Sequence, residues 1–337
     1  MTLVRRWTAF ALSAAALISL TGCTQIPASA GPDGSCTPPS LPGAAADAIG
    51  SDGAFGERLD IQLAAPVSTH TMQLARAGAG SGNFATESGV LEARFTVASA
   101  IDGSPIIEYG DFASTPEGEP VPMTMAALTA QLPGAAAVLQ CAQAGERLVS
   151  AMPANELFGD IGTMAGSANS TVIFAADVTR VYPSSAAGVI VPPQDGIPAV
   201  VTAPNGRPGV TMPNQPAPTE ARHALRVRGF GEPITDGEKL TVHVSIFDWE
   251  SGTEIASSWD ASNSVMQLTA TADPNGDDGL YGVTSQLIGQ PGGSQLVTVV
   301  PTEQALSRRG PLSPSLATGR TLVLVVDVLA SDEVETK

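Results

Sequence analysis

Few residues of this chain are spaced for side-chain catalysis. The three histidines, His70, His223 and His243, are scattered and offer neither a metal-ligand pair nor a base beside a nucleophile. Asp273-Pro274-Asn275-Gly276-Asp277-Asp278-Gly279 is rich in oxygen donors. A calcium loop, however, needs glycine at its sixth position and glutamate at its twelfth, and Asp278 and Thr284 stand there instead. A solvent-exposed loop is the reading. Gly78-Ala79-Gly80-Ser81-Gly82 lacks the spacing of a phosphate-binding turn and reads as a flexible loop. His243 falls in an alternating strand as a structural residue, and Trp259 as packing at a strand end. Neither a cofactor nor a metal is expected.

What must position any site is a long acidic chain. It has 337 residues, 16 basic against 33 acidic, and a net charge of -17, with lysine only at Lys239 and Lys337. Such a balance excludes nucleic acid as a partner, because phosphate contacts need Lys and Arg. The length suits two domains. Arg5 and Arg6 precede an apolar stretch from Trp7 to Leu20, too short to span a bilayer, and Leu20-Thr21-Gly22-Cys23 follows as a lipobox. Residues 1–22 therefore read as a lipoprotein signal peptide, with lipidation at Cys23 and a location on the extracytoplasmic face of the cell membrane. Residues 23–50, rich in Ala, Pro, Gly and Ser, read as a flexible stalk. Cys36 and Cys141 can pair in that compartment, and the sequence leaves a disulfide and two free thiols equally open.

Two folded regions follow, at 51–182 and 220–332, separated by a Pro-rich linker at 183–219. Within the linker, Ile197-Pro198-Ala199-Val200-Val201 is apolar enough to pack on a domain. The halves share a skeleton. Gly134, Gly145 and Pro153 match Gly282, Gly293 and Pro301 in spacing, and each half closes on an apolar strand, Thr171 to Val178 or Thr321 to Val328. This is the mark of a tandem duplication. Lys239 to Ile246 and Ser294 to Val300 alternate and are β-branched, so both copies are mainly strand. Each holds one short helical candidate, Ala135 to Gln143 or Val283 to Ile288. The fold class is α+β, an antiparallel sheet wrapped on one short helix, twice.

The second copy resembles the FKBP-type peptidyl-prolyl isomerases. The resemblance rests on Asp236 to Val244, Gly252 to Trp259, Leu280-Tyr281-Gly282-Val283, Leu287 to Ser294, Val299 to Glu303 and Leu322 to Val328, in unbroken order. The first copy keeps the order more faintly, through Pro153-Ala154-Asn155 and Phe158-Gly159. The whole chain is similar to the extracytoplasmic FKBP-type proteins of high-GC Gram-positive bacteria. The resemblance implies catalysis without a nucleophile, by a dry pocket that favours the twisted X-Pro amide over the planar one. Carried over, the pocket positions are Val244, Ile255, Ala256, Leu280, Val283, Leu306 and Leu324, with the Leu280 N–H expected to face inward. The family's aromatics and its carboxylate are substituted at most of them. In the first copy the pocket floor is Leu132 to Ala135, Ile106 and Ile107 follow the turn, and Phe158 and Phe174 take two aromatic places. The expected function is a membrane-anchored foldase or isomerase acting on unfolded or proline-containing exported polypeptides. The alternative is a non-catalytic binding or chaperone module.

Overall fold

The computed structural model describes residues 36–39, 41–159, 169–260, 264–312 and 314–333. The signal peptide and Cys23 lie outside them. The chain opens with helix α1 (Ala44–Asp47) and the strands β1 (Ile49–Asp52), β2 (Asp60–Leu63), β3 (Gln73–Ala77), β4 (Val90–Ser99), β5 (Pro105–Asp111) and β6 (Met123–Thr124). Helices α2 (Met125–Gln131) and α3 (Pro133–Leu139), strand β7 (Arg147–Pro153), helix α4 (Ala154–Phe158) and strand β8 (Thr171–Tyr182) complete the first domain. Its antiparallel sheet runs β3-β7-β8-β4-β5, with β6 paired to β4.

The remaining strands are β9 (Gly188–Ile190), β10 (Ala199–Thr202), β11 (Pro208–Thr211), β12 (Arg222–Gly229), β13 (Lys239–Asp248), β14 (Glu254–Ser257), β15 (Met266–Thr269), β16 (Gln295–Val300) and β17 (Leu322–Asp332). Helices α5 (Thr302–Ser307) and α6 (Pro314–Ala317) lie between β16 and β17. The sheet order is β14-β13-β17-β16-β12-β9, with β15 on β13. The architecture is thus α+β and doubled, as expected. The helix expected at Val283 to Ile288 is only a 3-10 turn, Thr284–Gln286, whereas its counterpart in the first copy is the full turn pair of α3.

The closing strands are mainly apolar because both faces are covered. Along β17, Leu322, Leu324, Val326 and Val328 enter one core, while Val323 and Val325 enter another on the opposite face. That second core is roofed by Ile197, Val200, Val210 and Met212. The region expected as a linker is therefore largely structural. Its β10–β11 hairpin lies on the second sheet and β9 adds an edge strand to it. The first domain has the same device in the β1–β2 hairpin, whose Ile49, Ile61 and Leu63 pack over Ala98, Val149, Ile173 and Ala175. The end of the expected stalk is also folded. Ala45 N–H donates to Gln73 Oε1 at 2.8 Å, and Leu41 packs on the main core. Cys36 is bonded to Cys141, with the Cα atoms 5.5 Å apart and a sequence separation of 105.

Each sheet holds a buried aspartate at a matching place, and only the first is bonded to its hairpin roof. Asp177 is opposite Arg147 in the register, and Asp327 is opposite Gln295. Asp177 is wholly buried; it receives both Nε and Nη2 of Arg147 at 2.6 and 2.7 Å, the Tyr109 hydroxyl at 2.8 Å, and the Gly56 N–H from the hairpin at 2.8 Å. Asp327 receives the Ala186 N–H from the connector at 2.9 Å and Gln295 Nε2 at 3.0 Å, with no guanidinium in the place Arg147 fills. Burial pushes Asp177 up, but Arg147, Gly56 and Tyr109 outweigh it and its pKa is lowered. Burial of Asp327 dominates, and its pKa is raised to about 6.

The two carboxyls therefore act on stability with opposite sign. Asp177 stabilises above its unfolded pKa, and that contribution is lost as pH falls through the lower folded value. Asp327 holds its proton longer in the folded chain, so its stabilising contribution is full below about pH 4 and lost as pH rises to about 6. His243, one strand away, is pushed down to about 3 by burial and drives the opposite trend, so the effect is read as a difference between variants. Asp327→Asn should gain about 3 kcal/mol over the wild type at pH 7.5, and nothing at pH 4, in denaturant unfolding. Asp177→Asn should lose about 3 kcal/mol at pH 7.5, because Arg147 is left without its counter-charge. Replacing Cys36 and Cys141 by Ser should lower stability by about 2–5 kcal/mol in the same measurement.

Candidate binding groove

The second domain carries an apolar groove of about 250 Å³ on the face of its sheet opposite the hairpin roof. Val244 and Ile246 of β13 and Met266 of β15 form its aliphatic walls, joined by Ala256 of β14 and Pro311 from the loop after α5, with Ser257, Ser258 and Ser264 at its polar side. The alternation of β13 puts Val244 and Ile246 on this side and Phe247 on the other. Of the positions expected for the pocket, Val244 and Ala256 line the groove. Leu280, Val283 and Leu324 are fully buried in the same core, and Ile255 packs against it. Leu306 is 49% exposed on α5 and is not part of the wall.

The expected inward-facing amide is occupied. Leu280 N–H donates to Asp278 Oδ1 at 2.7 Å, and the same carboxylate receives the N–H groups of Gly282 and Thr284, each at 2.8 Å. Asp278 is buried, so this part of the expected exposed loop is instead the organiser of the turn. A carboxylate accepting three backbone donors fixes a sharp turn that has no strand or helix to hold it.

Tyr281 then locks the turn to the loop that carries Pro311. Its φ is 61°, a left-handed conformation that costs a tyrosine about 1–2 kcal/mol. The ring is fully buried and passes directly under Gly310, where any Cβ would collide with it. Tyr281 N–H donates to Arg309 O at 2.8 Å, its hydroxyl accepts the Leu312 N–H at 3.2 Å, and its carbonyl accepts Gln304 Nε2 at 2.7 Å. The composition of the loop gives no hint of this clamp. The paired signal was there only as a tyrosine before Gly282 and a glycine at Gly310.

In the first domain the equivalent space is filled from within. Phe112 stacks on Phe95 with centroids 4.2 Å apart and lies 6.4 Å from Phe174, and the crevice beside Phe112 and Met123 holds no free volume. Phe174 was expected in the pocket; Phe95 and Phe112 were not foreseen. Phe158 is buried in the main core. The groove of the second domain is open where that of the first is closed.

Beside the groove, His243 and Trp259 stack with centroids 4.0 Å apart. Ser258 Oγ accepts the Val244 N–H at 2.9 Å and lies 2.7 Å from His243 Nδ1. The structural role expected for His243 is thus met on one nitrogen, while its Nε2 and Trp259 Nε1 are buried with no hydrogen-bond partner among the described residues.

Sheets of this order, closed on short helices and repeated along one chain, define a duplicated α+β protein. No family model matches the chain. A curated relative, the probable FK506-binding protein of Corynebacterium glutamicum, is 27% identical over 125 residues, which are 37% of this chain and 98% of that protein. Among solved structures, the three FKBP domains of wheat FKBP73 cover 78% of this chain and 95% of their own at 11% identity and a TM-score of 0.32. FkpA from Escherichia coli covers 42% of this chain and 53% of its own at 18% identity and a TM-score of 0.27. Over those 125 residues the chain is similar to an FK506-binding protein.

Asp278→Ala strips three buried amides of their acceptor and should cost at least about 2 kcal/mol in denaturant unfolding. Gly310→Val should cost about 1–3 kcal/mol by forcing Tyr281 aside.

Proposed function

We propose that this chain is an extracytoplasmic FKBP-type foldase, anchored by acyl chains on Cys23, whose second domain receives proline-containing segments of exported polypeptides and isomerises them slowly. The observation that carries the reading is the open aliphatic groove at Val244, Ile246, Ala256, Met266 and Pro311, set on an FKBP-type scaffold. An X-Pro bond resists rotation because amide resonance places a barrier of about 18–20 kcal/mol in the way. The twisted amide has lost conjugation and is less dipolar, so a largely apolar groove favours it over the planar amide. Proline itself is apolar and compact enough for such a groove.

Two features make the catalysis weak. The walls are aliphatic, so the ring is held by less contact area than aromatic walls give. The Leu280 amide is committed to Asp278 and offers nothing to a substrate carbonyl. That second observation favours the alternative, a holdase that binds extended apolar chains without altering their isomerisation. The test is protease-free isomerisation of a short Leu-Pro peptide by the chain lacking residues 1–22. Acceleration above the uncatalysed rate is expected, with at least about a tenfold loss in Ala256→Trp, which fills the groove, a barrier difference of about 1.4 kcal/mol. Peptide binding with no acceleration would establish the holdase instead, and neither binding nor acceleration would remove both readings.

A further inference from the structure

Larger than the groove is a cleft of about 550 Å³ between the two domains. Its walls come from three parts of the chain. The first domain supplies Glu87 and Ser88 with the start of α2, the connector supplies Pro204 and Asn205 from the β10–β11 turn, and the second domain supplies His243, Ser258 and Trp259. The domains are held together around it by Val90 and Tyr182 against Val265 and Leu329, by the Arg180–Asp332 pair at 2.7 Å, and by Lys239–Glu119 at 2.8 Å.

The cleft and the groove meet at Ser258, which lines both. An extended chain lying in the groove therefore has its continuation in the cleft. The lining there is mostly hydroxyl, amide and ring, and its one formal charge is the carboxylate of Glu87. His243 adds none, since burial holds its imidazole neutral. Ser258 Oγ accepts the Val244 N–H and shares one hydrogen bond with His243 Nδ1, so the serine hydroxyl and that ring nitrogen are spent on each other. His243 Nε2 and the Trp259 Nε1–H are two buried polar groups of that wall with no hydrogen-bond partner among the described residues. A peptide carbonyl entering beside Trp259 supplies the acceptor the indole N–H lacks. An anion could also do so, but it would face Glu87 on a chain of net charge -17.

We infer that the interdomain cleft is a flanking subsite for the same extended polypeptide, selecting a lysine or arginine close to the proline by pairing it with Glu87. This rests on the proposed reading of the groove as a site for proline-containing chains. It assigns the first domain a part in recognition, although its own groove is closed.

The experiment is calorimetric titration of the chain lacking residues 1–22 with capped decapeptides that share a central Leu-Pro. One set carries a single Lys two to four residues to either side of the proline, and matched sets carry Ala or Glu at the same place. A proline-free Lys peptide is the fourth probe. At low salt the best-placed Lys peptide should bind about threefold tighter than its Ala counterpart and the Glu peptide more weakly, the size of one exposed ion pair. Glu87→Lys, an exposed substitution, should invert the order of the Lys and Glu peptides. Equal binding of the Lys, Ala and Glu peptides, or an order unmoved by Glu87→Lys, overturns the inference and leaves isomerisation of the Ala peptide intact as evidence for the foldase. Binding of the proline-free Lys peptide that Glu87→Lys weakens, with no binding of the Ala peptide, supports the cleft while removing the reading of the groove. No binding by any probe overturns both.

Discussion

A sheet that is apolar on both faces cannot stand with one of them in water. That constraint shapes this molecule. β8 and β17 present mainly apolar side chains on alternate sides, broken within their buried stretch by Asp177 and Asp327, so each sheet needs helices and loops on one face and a second cover on the other. The chain answers twice with the same part, a short β-hairpin placed ahead of its sheet. A carboxylate inside each sheet accepts an N–H from a segment packed beside it, Gly56 of the hairpin turn to Asp177 and Ala186, just ahead of the edge strand β9, to Asp327. The repeated unit therefore begins at the hairpin, and the connector is the leading part of the second copy.

The same tie has diverged in its electrostatics. In the first copy Arg147 neutralises the buried charge and its guanidinium also reaches Gly53 O at 3.0 Å, drawing the hairpin turn inward. In the second, glutamine stands in that place, and the carboxyl relieves its burial by holding a proton more tightly. With Gln295 in place of an arginine, the second roof is still held by the apolar contacts of Ile197, Val200, Val210 and Met212. Hydrophobic cover supplies the energy, and the aspartate supplies position.

Much of this was legible in sequence. The duplication, the α+β class, the packing of Ile197 to Val201 and the continuous closing strands follow from periodicity and spacing, which are properties of single strands. What failed to show was whatever depends on side chains meeting across the fold. Asp278 looked like a loop acid because nothing local says that three amides turn toward it. Tyr281 and Gly310 are far apart in sequence and become one clamp only in three dimensions. Phe112 lies beyond the turn that the family pattern covers, so its stacking on Phe95 was invisible, and with it the closure of the first groove. The Pro-rich composition of the connector suggested a free tether, although proline is equally at home in the turns and strand ends of an edge hairpin. Residue-by-residue transfer likewise placed Leu306 in the pocket, where α5 turns it outward.

The hairpin roof also decides where the cleft lies. Gly206 at the β10–β11 turn has φ 95° and lies against the Trp259 ring, where a Cβ would strike it. Arg207, the next residue, pairs with Glu254 and Asp260 at 2.7 Å each, fixing the turn beside β14. Trp259 is thus held between His243 and the connector, at the one place where the groove of the second domain, its roof and the first domain come together. A roof made from a free tether could not form that wall, and a single copy would have no Glu87 to face it. The aromatic scarcity of this protein, 4% of its residues, leaves the groove aliphatic but keeps one indole at the junction. Contact area removed from the groove is in this way set down next to it, where an extended chain longer than a single X-Pro pair can reach it.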